Sequence, residues 1–395
     1  MPKKISPRFI SHVHNNLQYW LGKTEDLSDE ECSNLASESQ NIFRAVTIGL
    51  RIPECANLAI KVTIQAFKLV ELNGYWREWI PVLEFAAANP MAAEQKVKLL
   101  NQLGFIYRLN GDIDRAIATH HDAAVLAEQK QDEAELARIH FNLGTDYRES
   151  RNYVAAKRHA HLASQMFAAS GTSAARNKAA LANLFGLIAH HQGNYKQALT
   201  HYWSAIPLWQ ESGNSIYLVR SLLNIGLALE QLKRFEEALQ VYDQATQILD
   251  EAGLELDKVP IAINRGNIYF HMQQWRQAIE AYKSADSIHL HRSGNLSLQA
   301  MITTNLGVVF LELGDLVQAG TYLERAVSQW RDVGDKVMLG NAIATLGDTR
   351  TKQDKIGAAR ACFEEVLDLL EEFPDDGYAQ EVRESCFQSL AEISQ

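Results

Sequence analysis

The stretch Asn142-Leu143-Gly144-Thr145-Asp146-Tyr147, followed by Tyr153-Val154-Ala155-Ala156, decides the fold. A glycine recurs at Gly104, Gly144, Gly186, Gly226, Gly266, Gly307 and Gly347, at intervals of 40, 42, 40, 40, 41 and 40, preceded by an apolar residue at all but Gly266, which follows Arg265. Twelve residues after each glycine stands an alanine: Ala116, Ala156, Ala198, Ala238, Ala278, Ala319 and Ala359. Seven further on come Ala123, Ala163, Ala205, Ala245, Ala285 and Ala326, with Val366 the exception. Nine after each glycine stands a large apolar residue: Ile113, Tyr153, Tyr195, Phe235, Trp275, Leu316 and Ile356. Columns in register over seven units mark an internal repeat, the signature of a stacked array.

Each unit holds two stretches of helical hydrophobic period separated by a break. The breaks carry turn residues, as in Asn110-Gly111-Asp112, Gln192-Gly193-Asn194 and Leu313-Gly314-Asp315. The unit is therefore a helical hairpin. A glycine inside a helix costs about 1 kcal/mol against alanine, so seven of them need a packing reason. The expected reason is close approach of two backbones where the helices cross.

The units Asn142-Leu143-Gly144-x-x-Tyr147 … Tyr153-x-x-Ala156 and Leu103-Gly104-x-x-Tyr107 … Gly111-Asp112-x-x-x-Ala116 resemble tetratricopeptide repeats, over about residues 95–372. The usual unit of that family is shorter than the roughly 40 residues found here. The longer unit resembles those of spindle-orientation adaptors, bacterial quorum-peptide receptors and the arms of bacterial signal-transducing ATPases. The resemblance implies an all-α fold, a right-handed α-solenoid (superhelix) of antiparallel helix pairs. Seven clear repeats (95–375) are expected. A degenerate repeat (53–94) has Phe67 in place of the glycine and Trp79 in place of the alanine, arguing for helices held further apart. A C-terminal capping helix (376–395) and an N-terminal helical segment (1–52) complete the chain. In the latter, helices are expected over about 7–22 and 29–51, the second behind a capping box of Ser28 and Glu31. That segment reads as a cap or as an output module.

Length and composition agree with such an array. The 395 residues carry 47% hydrophobic and 22% charged residues and 8 prolines, which excludes a long disordered chain and permits long helices. The net charge of −10 argues against a general nucleic-acid binder. From Ala361 to Gln395 there are ten acidic residues and one basic residue, Arg383. That end either solubilises the last repeat or contacts the basic part of the array, within one chain or between two, as in a homo-oligomer joined through its terminal regions. Cys32, Cys55, Cys362 and Cys386 form no metal or redox pair. No signal segment and no run of 18 apolar residues is read, so a cytoplasmic protein without a membrane partner is expected.

No phosphate loop, dinucleotide fingerprint, nucleophile elbow or H-E-x-x-H motif occurs. The histidines at 120 and 121, 159 and 161, 190 and 191, and 289 and 291 lack the i, i+4 spacing of a helical chelate. The expectation is a protein that is not an enzyme, with no catalytic residue, no metal and no cofactor.

The family resemblance implies binding along the first helices, on the concave face. Positions −6, −2, +1 and +4 from each glycine share one helical face. At −2 stand Gln102, Asn142, Leu184, Asn224, Asn264, Asn305 and Thr345. Each amide offers a donor and an acceptor to an extended peptide backbone, or equally to a neighbouring helix or its own preceding turn. At −6 are Lys98, Arg138, Ala180, Arg220, Pro260, Met301 and Asn341; at +4 are Arg108, Arg148, His190, Glu230, Phe270, Leu311 and Thr351. The groove therefore reads as basic early and apolar late, suiting a protein or peptide partner with an acidic part. The arginines have a second reading, pairing with carboxylates such as Glu135 or Asp146. Lys98, Arg108, Arg138, Asn142, Arg148, Arg220, Asn224, Asn264 and Asn305 are the candidate binding residues of a scaffold or adaptor. The alternative is a peptide-sensing regulator whose superhelix changes on ligand binding.

Overall fold

The turn inside each hairpin is built the same way in all seven units. The residue seven after the glycine takes the left-handed conformation: Gly111, Arg151, Gly193, Lys233, Gln273, Gly314 and Asp354, with φ between 58° and 83°. The next amide then donates to the carbonyl five residues back, as from Asp112 to Tyr107 (2.9 Å), Arg234 to Leu229 (2.9 Å) and Asp315 to Phe310 (2.9 Å). This is the Schellman closure, which satisfies a carbonyl the helix end leaves open. Three units meet the positive φ with glycine. The other four hold a side chain there, at a cost on the order of 1 kcal/mol each. Acidic or amide residues cap the following helices: Asp112 accepts from the Arg115 amide, Asp132 from Glu135 and Asp315 from Gln318.

The computed structural model describes residues 5–25, 32, 35–73, 76–169, 174–254, 258–290, 295–374 and 376–394. Those residues form an all-α solenoid of antiparallel helix pairs, without strands, divided into two compact units, 1–212 and 213–395.

The first unit holds α1 (Pro7–Lys23), a 3₁₀ turn (Ala36–Glu38), α2 (Ser39–Gly49), α3 (Pro53–Gln65), α4 (Phe67–Asn73), α5 (Trp76–Ala88), α6 (Ala93–Leu109), α7 (Ile113–Lys130), α8 (Glu133–Glu149), α9 (Tyr153–Ala169), α10 (Ala175–His191) and α11 (Tyr195–Glu211). Helix α1 starts behind Ser6, whose side chain accepts from the Phe9 amide, and buries Val13, Leu17 and Trp20 against α2 and α3. The expected capping box at Ser28 and Glu31 lies outside the described residues. In the degenerate repeat the first helix is interrupted at Ala66. Phe67 begins α4 and meets Phe105 edge-on at 5.6 Å, while the buried Trp79 meets Phe43 edge-on at 5.4 Å.

The second unit holds α12 (Ser215–Gln231), α13 (Phe235–Ala252), α14 (Lys258–His271), α15 (Trp275–Leu290), α16 (Leu296–Leu313), α17 (Leu316–Val333), α18 (Lys336–Lys352), α19 (Ile356–Leu369) and α20 (Gly377–Glu392). Helix α20 packs on α18 and α19 through Ala379, Val382 and Cys386. Part of the acidic end is locally paired, Glu365 with Arg331 at 2.7 Å and Glu372 with Lys336 at 2.5 Å.

Two points bear on the sequence expectations. First, helix α16 spans 18 residues with a mean hydropathy of 1.4, long and apolar enough to cross a membrane, although Ser297, Gln299, Asn305 and Glu312 interrupt it so that it is no unbroken apolar run. It packs against both α15 and α17, so residues around its circumference are buried and its composition is that of a core helix. Second, the repeat glycine seldom serves backbone contact. A Cβ on Gly104, Gly186, Gly226, Gly266, Gly307 or Gly347 would run into the side chain sixteen residues on: His120, Tyr202, Tyr242, Tyr282, Leu323 or Phe363. The glycine is a notch that admits a large side chain from the second helix. At Gly144, where residue 160 is alanine, the neighbours are Leu184 Cδ2 at 3.1 Å and the backbone of α9, with Ala160 N and Ala156 O at 3.3 Å; at Gly307 the Leu323 backbone N also comes within 3.4 Å.

Candidate functional site

The face of the first helices differs between the two units. In the first unit its charges are largely met from within. Arg108 Nη1 donates to Asp146 Oδ1 at 2.7 Å, and its guanidinium lies 4.7 Å from the centre of the Phe105 ring. Asp146 is fully buried and also faces His120 Nδ1 at 2.5 Å, while His120 fills the Gly104 notch. A carboxylate taken out of water needs such compensation, and Arg108 supplies it from the preceding repeat. Asn142 Nδ2 donates to Asn101 Oδ1 at 2.8 Å, one repeat back. Arg148 is buried against His191 Nε2 at 3.2 Å and pairs with Glu149. Lys98 and Arg138 pair with Glu94 (3.0 Å) and Glu135 (2.7 Å) but keep 43% and 58% of their side-chain surface in solvent. Of the five candidates in this unit, these two present charge outward.

The histidines gather across helices rather than along them. His140 Nδ1 lies 3.0 Å from His159 Nδ1, Tyr147 stacks on His159 at 5.3 Å between centroids, and His121 Nε2 lies 2.9 Å from the Tyr147 hydroxyl. Burial, then the neighbouring His140, pushes His159 down to about 4. Burial lowers His140 and His121 as well. Neutral rings are what this packing requires. Among the described residues no group of three or more His, Cys, Asp or Glu is arranged to hold a metal ion.

In the second unit the same face opens into a cavity of about 220 Å³ lined by Glu230, Asn267, Phe270, His271, Tyr282, Asn305 and Val308. Three consecutive first helices, α12, α14 and α16, each contribute, with Tyr282 from α15 closing the floor. Tyr282 occupies the Gly266 notch, and its hydroxyl donates to Asn267 Oδ1 at 2.6 Å. Asn305 lines this cavity beside Tyr282, and Asn264 stands in the same way beside the buried Tyr242 hydroxyl, which lacks a hydrogen bond of good geometry. Arg220 is exposed and lies 5.1 Å from the Tyr217 ring centre. Asn224 is half-buried two residues before its notch glycine. A second cavity, about 290 Å³, lies off this face; its cations Lys258 and Arg265 pair with Asp250 and Asp243.

Sequence reasoning placed Phe270 and Val308 in the apolar late part of the groove, and it placed Glu230 in the +4 column without singling it out. The missed signal is that Glu230 is the single acidic member of that column, and its neighbours one and two repeats on are Phe270 and Leu311.

The family model described as a tetratricopeptide repeat matches residues 177–251 and 298–372. The kinesin light chain-related protein 2 of Arabidopsis thaliana is 22% identical over 411 residues, covering 87% of this chain and 62% of the relative. The chain thus spans under two thirds of that protein's length. The signal-transduction ATPase with numerous domains and a tetratricopeptide repeat sensor from Pyrococcus horikoshii superposes with a TM-score of 0.65 at 13% identity, over 94% of this chain and 56% of that one. The apo quorum sensor NprR from B. thuringiensis gives 0.62 at 14% identity, over 92% and 100%. At these identities the two structures show a shared fold.

Proposed function

We propose that this chain, a member of the tetratricopeptide-repeat superfamily, is a non-catalytic scaffold that captures an extended peptide or partner segment along its first helices. The observation that carries this reading is the cavity in the second unit, where α12, α14 and α16 converge polar groups on one space. A site shared by three repeats recognises something that runs across repeats. The amides of Asn224, Asn264 and Asn305 supply main-chain partners, and Arg220 offers an exposed charge at the start of the same face. In the first unit Lys98 and Arg138 reach solvent, while Arg108, Asn142 and Arg148 hold the neighbouring first helices in register and shape the face from beneath. An acidic residue in the partner suits the exposed cations.

The test is selection of random heptapeptides on the full chain and on the triple variant Asn224→Ala, Asn264→Ala, Asn305→Ala. The expected result is peptide enrichment on the native chain and its loss on the variant, with helicity and melting retained. Equal enrichment on both would place binding elsewhere.

A further inference from the structure

We propose that the cavity at Glu230 takes the lysine or arginine side chain of a bound peptide, with Glu230 as its counter-ion. This deepens the preceding reading and rests on it.

Glu230 keeps 10% of its side-chain surface in solvent, and the basic side chain beside it in the cavity is the imidazole of the exposed His271, with Nε2 at 3.5 Å. No lysine or arginine lines the space. Contrast Asp146, also buried on its helix, which is met by both Arg108 at 2.7 Å and His120 at 2.5 Å. A largely buried carboxylate without a lysine or arginine gains most from one delivered by a ligand. Burial pushes the Glu230 carboxyl up, consistent with this shortage of positive charge.

The walls suit a long cationic side chain. Phe270 and Val308 flank the space and cover the methylene stem, and the Phe270 ring attracts a cation near its face. Asn267 and Asn305 stand at the rim, where a peptide backbone would pass. The Tyr282 hydroxyl occupies Asn267 Oδ1, so the hydrogen bond this amide would offer a peptide carbonyl comes from its amino group. The volume decides between a side chain and a free small molecule. About 220 Å³ falls below the roughly 300–1,000 Å³ typical of pockets for whole small-molecule ligands, and fits one side chain. An acidic side chain would meet Glu230 with like charge, and an apolar one would bury the carboxylate uncompensated.

The experiment extends the heptapeptide selection. Selected peptides are expected to carry lysine or arginine at one shared position. Replacing that residue by norleucine should weaken binding to the native chain by about tenfold to a hundredfold, the worth of a charge-assisted hydrogen bond. On the isosteric Glu230→Gln chain the same peptide replacement should cost nothing, while Glu236→Gln, exposed on α13, leaves the cost intact. Since the norleucine change lies in the peptide, it reads the pocket without risk to the fold. If peptides are selected but show no shared basic residue, or lose equally on native and Glu230→Gln chains, this proposal falls and the peptide scaffold stands. If the native chain selects no peptide, both fall.

Discussion

Replacing Gly347 by alanine sets a methyl carbon 2.5 Å from Phe363 Cε1, 2.9 Å from Cζ and 3.0 Å from Cδ1. Carbon atoms in van der Waals contact sit about 3.5–4.0 Å apart, so the ring must move by an ångström or the two helices must separate. Phe363 is buried and forms part of the core that α18, α19 and α20 share, so no vacant rotamer awaits it. Overpacking of this kind costs about 1–3 kcal/mol. Alanine in place of a mid-helix glycine returns about 1 kcal/mol of propensity. The net expectation for Gly347→Ala is a loss of up to about 2 kcal/mol. In the Phe363→Ala background, itself about 3–5 kcal/mol less stable, the notch is empty. There Gly347→Ala should stabilise by up to about 1 kcal/mol. The sign reverses, giving a coupling of about 1–3 kcal/mol between the two positions. Urea unfolding followed by far-UV circular dichroism and intrinsic fluorescence measures all four chains, coincident transitions licensing the free energies. Gly144→Ala is the contrast. Its obstruction is Leu184 Cδ2 at 3.1 Å together with the backbone of α9 at 3.3 Å, so truncating Leu184 should relieve it only in part. Equal effects of Gly347→Ala with and without Phe363 would refute the notch as the reason for the repeat glycine.

Three further outcomes follow from the same geometry. Tyr282→Phe should lower stability by about 0.5–1.5 kcal/mol by removing the bond to Asn267, whereas Tyr242→Phe, whose buried hydroxyl stands beside Asn264 without a hydrogen bond of good geometry, should cost less in the same urea assay. The histidine cluster should make the protein acid-sensitive. His159 titrates near 4 in the folded chain against 6.5 unfolded, so the unfolded state binds more protons between these values. Stability is full above about 6.5 and lost as pH falls toward about 4, by about 3 kcal/mol at most; urea midpoints at pH 7.5 and 4.5 that differ equally in native and His159→Asn chains would contradict this. Gly314→Ala should lower the melting temperature, by about 1–2 kcal/mol of stability, because φ there is 83°, while Gly320→Ala, in helical conformation and 3.6 Å from Gln353 Nε2, should raise it by up to about 1 kcal/mol.

The glycine and alanine columns and their 40-residue spacing were enough to specify helix pairs and an all-α solenoid, because helical periodicity and turn chemistry act over a few residues and are written locally. Even so, only three of the seven left-handed turns carry glycine. Arg151, Lys233, Gln273 and Asp354 adopt that conformation because the Schellman hydrogen bond imposes it, and nothing in those side chains announces it. What fills each notch was equally hidden: His, Ala, Tyr, Tyr, Tyr, Leu and Phe share no chemistry, and only the crossing of two helices selects the sixteenth residue. The site depended on contacts further apart still. In sequence Arg108 has two readings, groove charge or partner of a carboxylate such as Asp146, and the contact thirty-eight residues away decides between them; Glu230 is one member of a column until α14 and α16 close around it and leave it without a lysine or arginine. Charge is a property of one residue and visible in sequence. Whether that charge is already compensated is a property of its neighbours in space, and only the packing of successive repeats decides it.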